Sequence, residues 1–289
     1  MAHLDQLHRF IFLGASGDER QAPVRGELVQ LDRAWQALLE RSKYPPAVAE
    51  LLGEAAVAAV LLAATLKIDG KLTLQIMSDT PTSERTHEAG KPLAVHLLVM
   101  QVTSNRELRG LARWHGDELE SEARGLKLLD GGRLVMTIET ARGERYQGIV
   151  PLQGERLAHA LQGYFERSEQ LPTRLWLEAD LHHATGLLVQ KLPEHHSVAD
   201  DEDWTRIVAL ADTVTRNELL TLPAETMLHR LFHEEDRRMY TPENVQFICS
   251  CSRERVGDML RGLGVDEVAT ALAEQGALEV DCECCNASY

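Results

Sequence analysis

The chain is 289 residues long, 44% hydrophobic, and carries a formal net charge of −15 from 45 acidic and 30 basic side chains. A field of that sign repels phosphate backbones and disfavours general nucleic-acid binding. Met1 to Asp5 lack the basic and apolar stretches of a secretory signal. The longest apolar run, Ala55 to Leu66, is shorter than the roughly 20 residues that span a bilayer. The sequence therefore reads as cytoplasmic, with no membrane partner.

In chain order, a mixed apolar segment at 4–12 precedes a polar loop from Gly14 to Pro23. Arg25 to Val29 opens a strand, and Leu31, Trp35, Leu38 and Leu39 give helical spacing up to Arg41. Pro45-Pro46 starts an Ala-rich helix over about 47–66, read as a core helix. Asp69-Gly70 is a turn signal between β-prone runs, and residues 78–92 form a loop with no apolar face. Strands are predicted at 93–102, 134–138, 146–150 and 173–178, with a helix at 157–167. Helices interrupt the strands without a regular alternation, which predicts an α+β fold: a mixed core domain with a large sheet.

The character changes after about Glu178. An acidic connector at 195–203 leads into a helix whose stripe is Trp204, Ile207, Val208, Ala211 and Val214. A second helix is predicted over 224–233. Eleven acidic and five basic residues between Glu194 and Tyr240 mark this stretch as one held by docking rather than by its own core. The expected division is a core at 1–178, a helical, metastable linker at 179–236 and a small module at 237–289.

All five cysteines lie at 249, 251, 282, 284 and 285. In a reducing compartment such clustering points to metal binding or redox chemistry. Two close pairs, Cys249/Cys251 and Cys282/Cys285, separated by a spacer are how a chain brings four thiolates to one tetrahedral zinc, with bonds of about 2.3 Å. One Zn²⁺ per chain is expected. The spacer reads as short helices at 253–261 and 266–275, stopped by Gly276, then a strand at 278–280. Thiolate is also the form that oxidants attack. Neighbouring sulfurs make Cys249–Cys251 and Cys282–Cys285 the natural disulfides of an oxidised form. An inert zinc ribbon, a thiol–disulfide oxidoreductase using Cys282-x-x-Cys285, and a nucleic-acid module are the competing readings. The oxidoreductase reading places its motif at a helix start, unlike this one.

Cys249 to Val256 followed by Cys282-x-x-Cys285 resembles the redox-regulated 33-kilodalton heat-shock chaperone family. The stretches 4–10, 24–29, 65–70, 145–150, 168–173, 220–224 and 233–235 resemble it too, so the likeness runs through essentially the whole chain. It implies an N-terminal α+β core, a helical linker and a C-terminal zinc domain with Cys249, Cys251, Cys282 and Cys285 as ligands. It also implies a holdase that needs no ATP. Oxidation to two disulfides would release zinc, unfold the module and then the linker, and give a dimer that binds unfolding client proteins. The stripe Trp204, Ile207, Val208, Ala211 and Val214 is then a candidate client surface. Cys284 departs from the family pattern as a possible extra thiol.

Other features have plainer readings. His229 and His233 sit four apart in a sequence lacking the metalloprotease glutamate, so they read as helix surface. His182-His183 and His195-His196 read as loop. No phosphate-cradling glycine loop and no nucleophile elbow occur, so nucleotide binding and serine hydrolysis lack support and no enzyme is predicted.

Overall fold

A computed structural model describes residues 5–13, 21–66, 69–79, 92–117, 123–129, 131–193 and 198–289. Most of the loops expected at 14–23 and 78–92, with His195 and His196, lie outside the described residues. The chain divides into two compact units, 1–247 and 248–289.

The larger unit is organised by one helix. Its elements begin with β1 (Gln6–Leu13), β2 (Gln21–Leu31), α1 (Arg33–Leu39) and α2 (Pro46–Thr65). Pro46 takes the first helical position of α2, where its missing N–H costs nothing. Every α2 residue except Pro46 and Glu50 is buried. A helix apolar on all sides needs cover on all sides, and this one lies between two sheets. It is long and apolar enough to cross a membrane, longer than the run read from the sequence, yet 94% of that window is buried within the protein.

The remaining strands of this unit are β3 (Gly70–Met77), β4 (Ala94–Thr103), β5 (Glu107–His115), β6 (Arg133–Thr140), β7 (Arg145–Pro151), β8 (Thr173–Ala179) and β9 (Ala184–Lys191). Short strands β10 (Arg237–Met239), β11 (Glu243–Asn244) and β12 (Gln246–Phe247) follow later in the chain. One sheet runs β10-β1-β2-β9-β8, with β11 also on β1; the other runs β12-β5-β4-β3-β6-β7. Helix α3 (Leu157–Tyr164) continues as a wider turn, Phe165–Glu169. The α+β class holds, with the strands divided between two sheets rather than gathered in one. Close approach of α2 to the first sheet requires small residues. A Cβ on Gly53 would meet Ala179 at 2.4 Å, and one on Gly186 would meet Leu61 at 2.8 Å.

The segment 179–236 differs from its helical expectation at its start, where β9 inserts between β2 and β8 and all eight of its residues are buried. Three helices follow: α4 (Val198–Ala211), α5 (Arg216–Thr221) and α6 (Ala224–Phe232). They cover the face of the first sheet that points away from α2. Phe10, Phe12, Leu28, Leu187 and Val189 from the strands meet Ile207, Leu219, Met227, Leu228, Leu231 and Phe232 from the helices in a second core. This stretch buries more apolar surface than its charge suggested. The reason is that β1 and β2 are apolar on both faces, as a sheet covered on both sides must be.

A charge ladder ties the elements together. Arg156 donates to Glu54 at 2.9 Å and to Glu178 at 2.8 Å. Arg216 of α5 donates to Glu178 at 2.7 Å and to Glu50 at 3.1 Å. Burial pushes the Glu54 carboxyl up to about 7, against the pull of Arg156. Burial does the same to Glu27, also to about 7, against Arg25. The ordinary value is 4.5 for both, so between these limits the folded chain holds protons that the unfolded chain has released. The contribution to stability is therefore fully present below about 4.5 and is lost as pH rises through about 7. Urea unfolding is expected to lose up to about 1.4 kcal/mol per pH unit per group across this window. Glu54→Gln should remove its half of that slope; an unchanged slope would mean that Arg156 keeps Glu54 ionised.

Candidate metal centre

The smaller unit opens on Cys249-Ser250-Cys251, and Ser252 then caps α7 (Arg253–Leu263), accepting from the Arg255 backbone N–H. The positive N-terminal end of that helix follows Cys251 by two residues, a favourable place for thiolate charge. Arg255 folds back to the Ser250 carbonyl at 2.7 Å. Arg253 is exposed on the same first turn. Helix α8 (Val265–Gln275) ends at Gly276, whose φ of 74° is a left-handed stop.

The second cysteine pair sits in a hairpin turn. The Val280 and Tyr289 backbones bond each other reciprocally at 3.1 Å, and the Cys282 N–H donates to the Ala287 carbonyl at 2.9 Å. The Cys282 carbonyl accepts from Cys285 at 3.3 Å and from Asn286 at 2.7 Å. Asn286 turns the chain with φ of 55°, a conformation asparagine tolerates. The strand expected at 278–280 is reduced to this contact at Val280 and a single bridge at Asp281–Ser288, because the chain turns at Cys282–Cys285 immediately after it. Cys282-x-x-Cys285 thus lies in a turn and opens no helix, unlike an oxidoreductase motif.

The turn and the first pair converge. Among the described residues, the Sγ atoms of Cys249, Cys251, Cys282 and Cys285 all lie within 4.8 Å of one another. The Cys249–Cys282 sulfurs are 3.6 Å apart and the Cys251–Cys285 sulfurs 3.2 Å. Four sulfurs about 2.3 Å from one tetrahedral ion sit about 3.8 Å from each other. The donor set therefore fits zinc in type, number and spacing. Burial, and further down the neighbouring sulfurs of Cys251, Cys249 and Cys282, push the Cys285 thiol up to about 12 against a bond from the Ala287 backbone. Thiols this crowded ionise together only around a cation.

Two other side chains of this unit bear on the cluster. The Tyr289 hydroxyl donates to Cys251 Sγ at 3.1 Å, and this bond holds the phenol up at about 12. No sequence pattern signals this contact, since an aromatic at that position has no characteristic spacing. Cys284 is partly exposed and is not one of the four clustered sulfurs. Cys284→Phe is expected to retain one zinc per chain by metal analysis; loss of metal would make Cys284 a ligand. Elsewhere in the chain, Ile207 and Ala211 of the α4 stripe are fully buried in the second core, with Trp204 and Val214 packed partly exposed against it and Val208 half-buried. His229 of α6 and His233, the residue that caps its C-terminus, stack at 6.0 Å.

A two-sheet α+β body clasping an apolar helix, followed by a separate module built on four converging thiols, defines a two-part protein whose tail carries a candidate metal site. Comparison with known proteins places it further: the chain belongs to the Hsp33 family, whose model, described as Hsp33 protein, matches residues 5–289. It is 47% identical to a 33 kDa chaperonin of Nitrosococcus oceani, over 100% of this chain and 92% of that protein. A 33 kDa chaperonin of Ectopseudomonas mendocina is 45% identical over 92% of this chain and 87% of its own length. The crystal structure of the 33 kDa chaperonin (heat shock protein 33 homolog) of Thermotoga maritima superposes with a TM-score of 0.75. It covers 98% of this chain and 93% of that one at 20% identity, a likeness of fold.

Proposed function

We propose that this protein is a cytoplasmic, redox-regulated holdase that binds unfolding proteins without ATP, and that its four-cysteine module is the switch. The observation that carries the reading is the convergence of four sulfurs in a unit where no described side chain is buried. A module of this size without a core depends on its ligands for folding. Bound zinc would hold Cys249, Cys251, Cys282 and Cys285 as thiolates and supply the module's folding energy.

Oxidation uses the same sulfurs differently. Two thiolates give two electrons to one peroxide, which takes up two protons and leaves as two waters, while one S–S bond forms. Cys249–Cys251 and Cys282–Cys285 are the proposed bridges. The folded cluster brings all four sulfurs together, but once the module opens only sequence neighbours remain close. Sulfurs joined in this way no longer ligate, and residues 248–289 lose what holds them. Helices α4 to α6 form the proposed linker that loosens next, and a dimer is the proposed oxidised form.

The test follows zinc release and light scattering of a denaturing client in one experiment. Peroxide with mild heat should release the metal while aggregation of the client becomes suppressed. Full zinc loss with no gain in suppression would overturn the reading. Catalytic reduction of insulin would instead favour an oxidoreductase.

A further inference from the structure

We infer that the outer edges of β1 and β5 are docking edges for extended client segments, and that residues 237–247 occupy them in the resting protein as a built-in stand-in for a client. The inference rests on the holdase reading and names its binding surface.

Residues 237–247 run between α6 and the cysteine module and supply β10, β11 and β12. β10 and β11 pair antiparallel with β1, whereas β12 pairs parallel with β5. Without this segment, β1 and β5 would be the edge strands of the two sheets among the described residues. Such edges are rows of unpaired N–H and C=O groups that accept another strand.

The way the segment is held suits a replaceable occupant. Its Tyr240, Val245 and Gln246 N–H groups donate to the carbonyls of Arg9, Asp5 and Arg106 at 2.9, 2.9 and 3.1 Å. Only Val245 is buried, at 3% exposure, while Met239 and Tyr240 are 42% and 45% exposed. Phe247 packs partly buried against the core beneath. Glu243 accepts from Arg106 at 2.8 Å and pairs with Arg9. Between them the edges read backbone, two apolar side chains and one carboxylate; β1 takes an antiparallel strand and β5 a parallel one. A surface with those demands tolerates many sequences. The segment is also covalently continuous with Ile248, the first residue of the four-sulfur module. Having one buried anchor, it belongs at the low-stability end of its unit and should peel before α4 to α6 do.

A fluorescein-labelled peptide of residues 237–247 probes the edges by anisotropy on the full chain. It should bind the peroxide-treated protein at least about tenfold more tightly than the reduced protein, and unfolded client should displace it. The same peptide N-methylated at alternate residues keeps its side chains but cannot form a ladder, and should not bind. Val245→Asp, and more weakly Glu243→Gln, should let the reduced protein bind the peptide with zinc content unchanged. Equal binding to both redox forms, or binding of the N-methylated peptide, would overturn strand docking. If oxidised protein suppresses client aggregation but does not bind the peptide, this inference fails and the holdase reading stands. If it binds the peptide but suppresses nothing, the holdase reading fails.

Discussion

Cys282→Ser, purified under thiol protection, is expected to carry less than about a tenth of the zinc of the parent chain, and its 253–275 amides should exchange as in an unfolded peptide. Structural zinc contributes roughly 10–16 kcal/mol of apparent binding energy to modules of this kind, about as much as a whole domain's net stability. The smaller unit has nothing to set against that loss. Helix α7 buries no side chain, and Met259, Leu263 and Val265 stay 50%, 53% and 85% exposed. Within residues 1–247, urea unfolding of the two sheets around α2 should be unchanged, while segment 237–247 and then α4 to α6 should loosen as proposed for the oxidised form. Metal analysis with hydrogen exchange checks both halves. A variant that kept its helices after losing its metal would show that the four thiols are not what orders the tail.

The second large effect concerns the body. Phe232 is fully buried, with its ring 5.0 Å from Phe12 and 6.2 Å from Phe10, the Phe12 contact edge-on. Phe232→Ala should cost about 3–5 kcal/mol, a lost aromatic plus an unfilled cavity. Because that core joins α4 to α6 to the first sheet, the loosened helices should let the reduced, zinc-loaded variant suppress client aggregation that the reduced parent does not. Urea unfolding gives the first number and light scattering the second. Destabilisation without reduced-state activity would separate the docking of these helices from the switch.

The sequence showed some of this architecture clearly and hid the rest for physical reasons. Helix α2 was legible because an Ala- and Leu-rich run after Pro45-Pro46 has few alternatives, and the cysteine cluster was legible because close pairs of soft ligands have one common use. β5 was missed: Arg109 and Arg113 break its apolar run although Leu108, Leu111 and Ala112 are buried. β9 was absorbed into the expected linker because the polar stretch around it dominated, yet it pairs at Val24–Lys191 with a strand far away in sequence. No local pattern carries such pairing. The same holds for β10 to β12, which are two or three residues long and mostly exposed, and for the Tyr289 contact with Cys251. The metal-ligand candidates were thus readable from spacing alone. The segment that leads from α6 to the cysteine module was not, because its hold comes from backbone hydrogen bonds, the Glu243 pairs with Arg9 and Arg106, and only Val245 and Phe247 as apolar contacts.

The enclosure of α2 also bears on how the chain is made. The strands that flank this helix on one side come from residues 70–115, but the other side needs β8 and β9, which end at Lys191. Until roughly two-thirds of the polypeptide has left the ribosome, an apolar helix of membrane-spanning length stands half uncovered. A nascent chain stalled before that point is expected to present that apolar face to solvent, checked by protease sensitivity of α2 in chains truncated before β8.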